Sequence, residues 1–337
     1  MKILITGVHG FVGSNLVVAL SKEHEIYGLD IVAPEKEGVI KTYAWDDLEA
    51  GRVVDVDAIV HLAGKAHDTK NQADEEVYFK VNRDLTIKVF DYFCEHPDIK
   101  KFVFFSTAKA AADKVEGVLT EDVVPAPVGP YGESKIKAEE YILEKFKEFN
   151  GLSSLRENNL EHLEHLEQLE HLNPTSKDVY IFRPCMIHGP GNKGNLNLLY
   201  GVVKKGIPWP LGAFENRRTF TSIENICFAV NGVLTKDVPS GIYNMGDDEA
   251  LSTNELIEEI CKSLGKKAHI WKLPKGLMTA FAKIGGMLHL PLDPEKLRKL
   301  TENYISSNAK IKKALGVDKM PVDARTGLQT TLESFKG

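Results

Sequence analysis

The amino-acid sequence predicts an α/β fold, with a doubly wound parallel sheet and a smaller, mostly helical C-terminal domain. Two observations predict it. Through the first half of the 337 residues, short apolar runs alternate with helical patterns. The apolar runs are also continuous, and such runs are typical of strands that are covered on both faces of a parallel sheet.

The individual elements follow from these patterns, because each apolar run ends at a glycine or a polar residue. The predicted strands are residues 2–6, 25–30, 57–62, 101–106 and 179–182. The predicted helices are Phe11–Ser21, Val77–Cys94, Tyr131–Phe149 and Leu256–Leu264. Ser252 and Thr253 before Glu255 are typical of a helix start. After Pro184 the pattern loosens into turns rich in Gly, Pro and Asn, and the C-terminal stretch is again mostly helical.

Two domains are expected from this order of elements. Residues 1–183 are predicted to form the sheet domain, to which residues at about 218–247 return. Residues 184–217 and 248–337 are predicted to form the substrate-binding domain, over the carboxyl edge of the sheet.

A repetitive segment interrupts the first domain at about 151–176. Its leucines recur at every third position from Leu160 to Leu172. A step of three residues drifts by about 60° on an α-helix, so these leucines do not form one helical stripe. We interpret the segment as a surface insertion and assign no metal site to its histidines.

Composition excludes several classes of function. Lys and Arg minus Asp and Glu gives 42 − 48 = −6, and an acidic chain without a basic block is a poor partner for nucleic acid or a membrane surface. The four cysteines are widely spaced, which favours reduced thiols in a cytoplasmic protein over a zinc site. The most apolar stretch, Gly276 to Leu292, contains Lys283 and His289, so we expect no membrane span.

A glycine-rich turn follows the first predicted strand. Gly7, Gly10 and Gly13 are spaced GxxGxxG between a strand and a helix. Glycines there permit a tight turn, a close approach to a pyrophosphate and close packing of the helix on the strand. Asp30 ends the second strand, where a carboxylate accepts hydrogen bonds from a ribose diol and repels a 2′-phosphate. The pattern therefore favours a dinucleotide site over a glycine turn that binds no ligand. Asp30 favours NAD over NADP as the cofactor.

A candidate proton-transfer group follows later in the chain. Tyr131 and Lys135 are four residues apart on one face of a predicted helix, and the ammonium group is expected to lower the pKa of the phenol. Thr107 follows the strand at 101–106 and can donate to a substrate oxygen, or can cap the local backbone. Together the three side chains suggest acid–base chemistry between an alcohol and a ketone.

These motifs resemble a known family. The motifs TGVHGFVG, the acid at Asp30, HLAG, ST, YGESK, RPCMIHGPG and SNAKIKKALG occur in order along nearly the whole chain. They are similar to the extended short-chain dehydrogenase/reductases that act on nucleoside-diphosphate sugars, which are NAD-dependent epimerases and dehydratases like UDP-glucose 4-epimerase. The resemblance implies that the first domain is a Rossmann domain.

The resemblance also implies roles for single residues. The cofactor-binding residues would be Gly7, Gly10, Phe11, Val12, Gly13, Asp30, Leu62, Ala63, Gly64, Asn82, Tyr131 and Lys135. The catalytic residues would be Thr107, Tyr131 and Lys135. The substrate-binding residues would be Thr107, Asn195 and Arg218, of which the last two meet the diphosphate. No metal is implied.

Departures from the family pattern narrow the reaction. Ala108 and Lys109 follow Thr107, where the 4,6-dehydratases carry Asp-Glu, so dehydration is disfavoured. His188 stands where the family has tyrosine. We predict a nucleotide-sugar 4-epimerase acting on a UDP-linked hexose, as a cytoplasmic homodimer. A 4-ketoreductase of a 6-deoxy-4-keto nucleotide sugar remains the alternative, and a non-catalytic NAD-sensing protein is a third hypothesis.

Overall fold

The structure is a computed structural model that describes residues 1–65, 74–149, 177–287 and 292–336. The insertion predicted at about 151–176 lies outside the described residues. In the part that is described, no helix is both long and apolar enough to cross a membrane.

Seven parallel strands form the central sheet, and four short strands form two further pairs. The strands are β1 (Lys2–Thr6), β2 (Glu25–Leu29), β3 (Lys41–Tyr43), β4 (Ala58–His61), β5 (Lys101–Phe105), β6 (Val118–Leu119), β7 (Asp178–Pro184), β8 (Met186–His188), β9 (Phe220–Ser222), β10 (Gly241–Met245) and β11 (Ile305–Ser306). The order in the sheet is β10-β7-β5-β4-β1-β2-β3. The direction of chain growth reverses between β1 and β4, and ligands of such sheets bind outside the carboxyl ends of the strands at this switch point.

Helices cover both faces of the sheet and continue beyond it. They are α1 (Phe11–Leu20), α2 (Trp45–Glu49), α3 (Glu75–Tyr78), α4 (Leu85–Glu95), α5 (Ala108–Ala111), α6 (Pro130–Phe149), α7 (Asn195–Lys204), α8 (Ile223–Thr235), α9 (Thr253–Ser263), α10 (Lys275–Met287), α11 (Pro294–Thr301), α12 (Ala309–Leu315) and α13 (Ala324–Ser334). A π-helical segment, Phe79–Asp84, joins α3 to α4 without a break.

Two apolar cores lie on opposite faces of the sheet, because successive side chains of a strand point to opposite faces. Ile3 and Ile5 of β1 are buried against α1, α8 and α12. Leu4, between them, is buried against α4 and α6. A third core joins α7, α9 and α13, and a fourth joins α10 and α11 around Leu211 and Met278.

The predicted fold class is confirmed, and the structure adds elements that the sequence patterns miss. All five predicted strands are present, and β3 and β10 extend the sheet at its two edges. Both edge strands contain polar residues, so neither forms a continuous apolar run. Asn244 of β10 is fully buried, and its backbone N–H donates to Glu121 at 2.7 Å. The predicted helix start at Ser252 is confirmed by a capping box with Glu255.

Candidate functional site

The glycine turn connects β1 to α1 at the switch point of the sheet. Gly7 has φ +70°, in the left-handed region that favours glycine. A Cβ atom on Gly13 would lie 2.4 Å from the Gly7 carbonyl oxygen, so a side chain there would collide with backbone. The first turn of α1 therefore packs directly against the end of β1, and the first N–H groups of an α-helix have no partner within the helix. This cradle fits a pyrophosphate.

Asp30 closes the same turn from the next strand. Its Oδ2 accepts a hydrogen bond from the backbone N–H of His9 at 3.0 Å, and its Oδ1 accepts one from Ile31 at 2.7 Å. Nearby, the Lys36 ammonium donates to the hydroxyl of Ser14 at 2.6 Å. Burial lowers the pKa of Lys36, while the charge of Asp30 opposes that shift. The carboxylate is thus held at the rim of the glycine turn.

A buried hydroxyl and a buried imidazole fix the backbone at the end of β4. The Thr6 hydroxyl accepts from the backbone N–H groups of Leu62 and Ala63, at 3.1 and 3.0 Å. Its proton is therefore directed to His61 Nδ1, 2.7 Å away, and His61 Nε2 donates to Thr86 at 3.0 Å. Burial lowers the pKa of His61 to about 3, so the ring is neutral in this chain of hydrogen bonds.

Asn82 lies in the π-helical segment and is fully buried. Its Oδ1 accepts from the backbone N–H of Lys65 at 2.7 Å, and its Nδ2 donates to the Lys65 carbonyl and to the Ser134 hydroxyl. Ser134 in turn donates to the backbone carbonyl of Tyr131 at 3.0 Å. Such π-helical segments occur often at functional sites, and this one turns Asn82 toward the helix that carries Tyr131.

Tyr131 and Thr107 meet at the carboxyl end of β5, where their side chains are hydrogen bonded. Thr107 also accepts a 3.3 Å bond from the backbone N–H of Lys109, so it caps α5 as well. Burial raises the pKa of Tyr131, and the bond with Thr107 opposes that shift. The expectation that the Lys135 ammonium lowers this pKa is wrong for the structure, because loss of hydration is the larger effect.

Lys135 is buried one turn further along α6. Its ammonium donates to the carbonyl of Phe105 at 2.8 Å, and burial lowers its pKa to about 8 while the charge of Glu139 opposes the shift. A Cβ atom on Gly64 would lie 3.1 Å from this ammonium and 3.0 Å from Asn82 Oδ1. Glycine at position 64 therefore lets the strand end, Asn82 and Lys135 pack together.

A buried ion pair joins α6 to β7. Arg183 and Glu139 are bridged by two guanidinium nitrogens, with a shortest distance of 2.6 Å, and both side chains are almost fully buried. The Ser106 hydroxyl donates to the same carboxylate. The sequence analysis does not identify this group, although an arginine inside the apolar run of β7 is a usable signal, since a buried charge requires a partner.

The two residues expected at a diphosphate lie in different environments. Arg218 is partly buried, and its Nη1 donates to the Lys299 carbonyl at 2.8 Å. Its neighbour Arg217 instead forms an exposed ion pair with Glu255. Asn195 is exposed at the first residue of α7. The predicted cofactor and catalytic residues therefore lie around the carboxyl edge of the sheet. Asn195 lies instead at the start of α7, and Arg218 contacts the last turn of α11.

Tyr304 pairs with Arg218 in an isolated β-bridge and also contacts the segment after Thr107. The Lys109 ammonium lies 4.6 Å above the Tyr304 ring, and the Tyr304 hydroxyl donates to the Ala112 carbonyl at 2.9 Å. Lys109 also pairs with Asp113 at 3.1 Å. Lys109 thus stands at a position where the resemblance places an acid in the dehydratases, and it is itself paired with an acid.

Comparison with known proteins identifies the family. The sequence model of the NAD dependent epimerase/dehydratase family matches residues 3–246. The chain belongs to this family. It is therefore an enzyme of the group that uses NAD and acts on nucleotide sugars, as the sequence motifs predict, and the family resemblance is confirmed.

Several known enzymes are similar to this chain over most of their length. UDP-glucose 4-epimerase of Vibrio cholerae is 28% identical over 81% of this chain and 78% of its own. N-acetyl-alpha-D-glucosaminyl-diphospho-ditrans,octacis-undecaprenol 4-epimerase of Escherichia coli O157:H7 is 26% identical over 93% of this chain and 85% of its own. dTDP-4-dehydro-6-deoxyglucose reductase of Escherichia coli is 24% identical over 80% of this chain and 83% of its own.

Solved structures share the fold over nearly their full length. UDP-N-acetylglucosamine 4-epimerase from Bacillus cereus superposes with a TM-score of 0.73 at 21% identity, over 100% of both chains. MoeE5 in complex with UDP-glucuronic acid and NAD superposes with a TM-score of 0.72 at 19% identity, over 100% of this chain and 99% of the other. At these identities the similarity establishes the fold.

Proposed function

We propose that this protein is an NAD-dependent nucleotide-sugar 4-epimerase that acts on a nucleoside-diphosphate hexose through a 4-keto intermediate. One observation carries the proposal. The hydrogen-bonded pair of Thr107 and Tyr131, with buried Lys135 beside it, lies at the same sheet edge as the glycine turn. An acid–base group next to a dinucleotide cradle is the arrangement that oxidation and reduction of a sugar hydroxyl requires.

The residues of the crevice suit NAD. Gly7, Gly10 and Gly13, with Phe11 and Val12 between them, leave room for its pyrophosphate at the N-terminus of α1. The Asp30 carboxylate, at the rim of this turn, would accept from the adenosine ribose.

The rest of the cofactor site comes from neighbouring elements. Leu62, Ala63 and Gly64 would line it, with their backbone fixed by Thr6. Asn82 would support the site from the π-helical segment, and Lys135 would bond the nicotinamide ribose. When bound, NAD supplies the acceptor for the hydride of the sugar C4 and returns it.

Proton movement is assigned to Tyr131. As a phenolate it takes the proton of the 4-hydroxyl group, and as a phenol it gives the proton back after the 4-keto sugar has turned. Burial raises the pKa of Tyr131 and so favours the phenol, while the hydrogen bond with Thr107 favours the phenolate. The Thr107 hydroxyl has one proton, which it donates to the phenolate before the transfer and, once Tyr131 is a phenol, to the same substrate oxygen while charge develops on it.

Arg218 and Asn195 are assigned to recognition of the diphosphate group of the substrate. Arg218 offers a partly buried guanidinium fork that matches phosphate oxygens, and Asn195 stands at the N-terminus of α7. Residues 184–217 and 248–337, together with Arg218 at the start of the segment 218–247, would therefore hold the nucleotide sugar. We propose a UDP-linked hexose, and the similarity to UDP-glucose 4-epimerase supports that choice.

Reduction of a 4-keto sugar is the second candidate. The similarity to dTDP-4-dehydro-6-deoxyglucose reductase favours it, and Thr107, Tyr131 and Lys135 would serve it in one direction only. Dehydration is disfavoured because Lys109, paired with Asp113, stands where an acid would expel water. A protein that only senses NAD would not require the Tyr131–Thr107 pair.

The cofactor balance separates the two reactions. An epimerase regenerates NAD in every cycle, whereas a reductase consumes one NADH per turnover. We expect the purified protein to carry bound NAD and to interconvert UDP-glucose and UDP-galactose, or their N-acetylated forms, without added cofactor. Stoichiometric loss of NADH absorbance with a 4-keto-6-deoxy nucleotide sugar, and no interconversion, would identify a reductase instead.

A further inference from the structure

Helix α10 has two apolar faces, of which only one is buried. Met278, Ala282 and Gly285 face the fourth core and are buried. Leu277, Phe281 and Ile284 repeat at the same spacing on the outside, where they are 45%, 52% and 50% exposed, and Met287 extends this row at 80%. The spacing i, i+4, i+7 makes the outer residues a continuous stripe along one helix face. We refer to Leu277, Phe281, Ile284 and Met287 as the outer stripe.

Exposure of this kind is unusual for a water-facing helix. Single exposed apolar side chains are normal, but a contiguous row on one helix marks a contact surface. Lys275, Thr279 and Lys283 are the polar residues of α10, and all three are exposed. None of them interrupts the outer stripe. The outer stripe is therefore a candidate contact surface.

The sequence that carries the outer stripe has charges of one sign, and the first acids beyond it, Asp293 and Glu295 at the start of α11, pair with Lys296 and Lys299. Between Ser263 and Leu292 the sequence contains Lys266, Lys267, Lys272, Lys275 and Lys283 and no aspartate or glutamate. Lys272, Lys275 and Lys283 are exposed, and so is the Trp271 ring, at 54%. The net charge of −6 for the whole chain hides this local excess of positive charge. Apolar and aromatic side chains bordered by lysines are complementary to an anionic lipid surface.

A second copy of the chain is a poorer occupant. In a two-fold symmetric contact the same patch of both copies meets, so two patches that each carry an excess of lysine would come together. Facing like charges are unfavourable. Helix α10 is also too short to span a bilayer, because 13 residues extend about 20 Å.

The outer stripe is connected to the substrate side of the molecule. Helix α10 packs on α11 through Met278, Ala282 and Leu297. The last turn of α11 then supplies the Lys299 carbonyl that accepts from Arg218 at 2.8 Å. A surface on which α10 rests would thus lie next to the residue assigned to the diphosphate.

We propose that α10 docks this enzyme on an anionic phospholipid surface. The outer stripe enters the interface between head groups and acyl chains, the helix lies in the plane of that interface, and the lysines contact the head groups. The proposal goes beyond the reaction assigned above and does not rest on it, since docking requires neither NAD nor sugar.

Vesicle flotation of the full-length protein tests the proposal. We expect binding to vesicles of phosphatidylglycerol and phosphatidylcholine, weak binding to pure phosphatidylcholine, and release at high salt. Phe281→Gln with Ile284→Gln should lower the partition coefficient at least about tenfold, and so should Lys272→Glu with Lys275→Glu. Val18→Gln, at a position 71% exposed on α1, is the matched control and should bind like the unmodified protein.

Each outcome is decisive because these side chains are exposed and their replacement should not unfold the protein; a melting curve for each variant checks this. Absence of binding to anionic vesicles overturns the proposal, as does equal binding by the variants or by pure phosphatidylcholine. If size-exclusion chromatography with light scattering shows a dimer that Phe281→Gln with Ile284→Gln converts to monomer, and vesicles do not bind, the occupant is a second copy.

Discussion

The Asn82 side-chain amide donates to the Ser134 hydroxyl at 3.0 Å, across 52 residues of sequence. This bond joins the π-helical segment to α6, and the same Asn82 side chain holds the backbone of Lys65 through two further bonds. The end of β4, which would line the cofactor, is thereby tied to the helix that carries Tyr131. Asn82 is a positioning residue in this arrangement, because it acts through Ser134 and the backbone.

Removal of this bond should show coupling between its two partners. We expect Asn82→Ala to lower the free energy of unfolding by about 1–3 kcal/mol, because the partly buried backbone N–H and C=O of Lys65 lose their partners. Ser134→Ala should cost less, and the double variant should show a coupling energy of about 0.5 kcal/mol or more. Urea unfolding of all four proteins measures it, and strict additivity would contradict the role of the bond.

Tyr131→Phe tests the proton-transfer group. The ring and its edge-on contact with Tyr78, with ring centroids 6.4 Å apart, can remain, so folding and NAD binding should be unchanged. Turnover of the nucleotide sugar should fall by about 10²- to 10⁴-fold, the range for loss of a general acid–base group. Tyr78→Phe is the matched control. Turnover near that of the unmodified protein would refute the assignment.

Thr107 should set the acidic limb of the pH–rate profile. Its bond to Tyr131 lowers the pKa of the phenol against the larger, opposite effect of burial. In Thr107→Val the pKa therefore rises further, the phenolate is formed only at higher pH, and the acidic limb of kcat moves to higher pH. Thr107→Ser keeps the hydroxyl and should keep the limb in place. The hydroxyl also donates to the substrate, so kcat itself should fall about 10²-fold in the valine variant.

Cofactor choice should depend on Asp30. Asp30→Ala removes the acceptor for the ribose diol and the charge that repels a 2′-phosphate, while the Lys36 ammonium remains nearby. We expect the Kd for NAD to rise about 10- to 100-fold and the Kd for NADP to fall toward it. Glu23→Ala, an exposed acid beyond α1, is the control, and isothermal titration with both cofactors is the measurement. Equal Kd values in the unmodified protein would contradict the preference for NAD.

The sequence predicts those parts of the site that leave a local pattern. The glycine turn, Asp30 at a strand end and the spacing of Tyr131 and Lys135 are each encoded within a few residues. Contacts between distant segments leave no such pattern, so the partners of Asn82 and the pair of Glu139 with Arg183 are found only in the fold. The direction of the pKa shift of Tyr131 is predicted wrongly for the same reason, because spacing indicates which charges are near and does not indicate how much water is lost.

The buried pair of Arg183 and Glu139 gives the last prediction. Arg183→Met leaves the Glu139 carboxylate buried beneath Lys135 without its main partner, and loss of one partner of such a pair costs about 3–5 kcal/mol. Replacement of both, by Arg183→Met with Glu139→Leu, removes the unpaired charge and should recover most of that stability, although Ser106 then loses its acceptor. Urea unfolding separates the cases. If the double variant is no more stable than Arg183→Met alone, desolvation of the unpaired carboxylate is not what makes the single variant unstable.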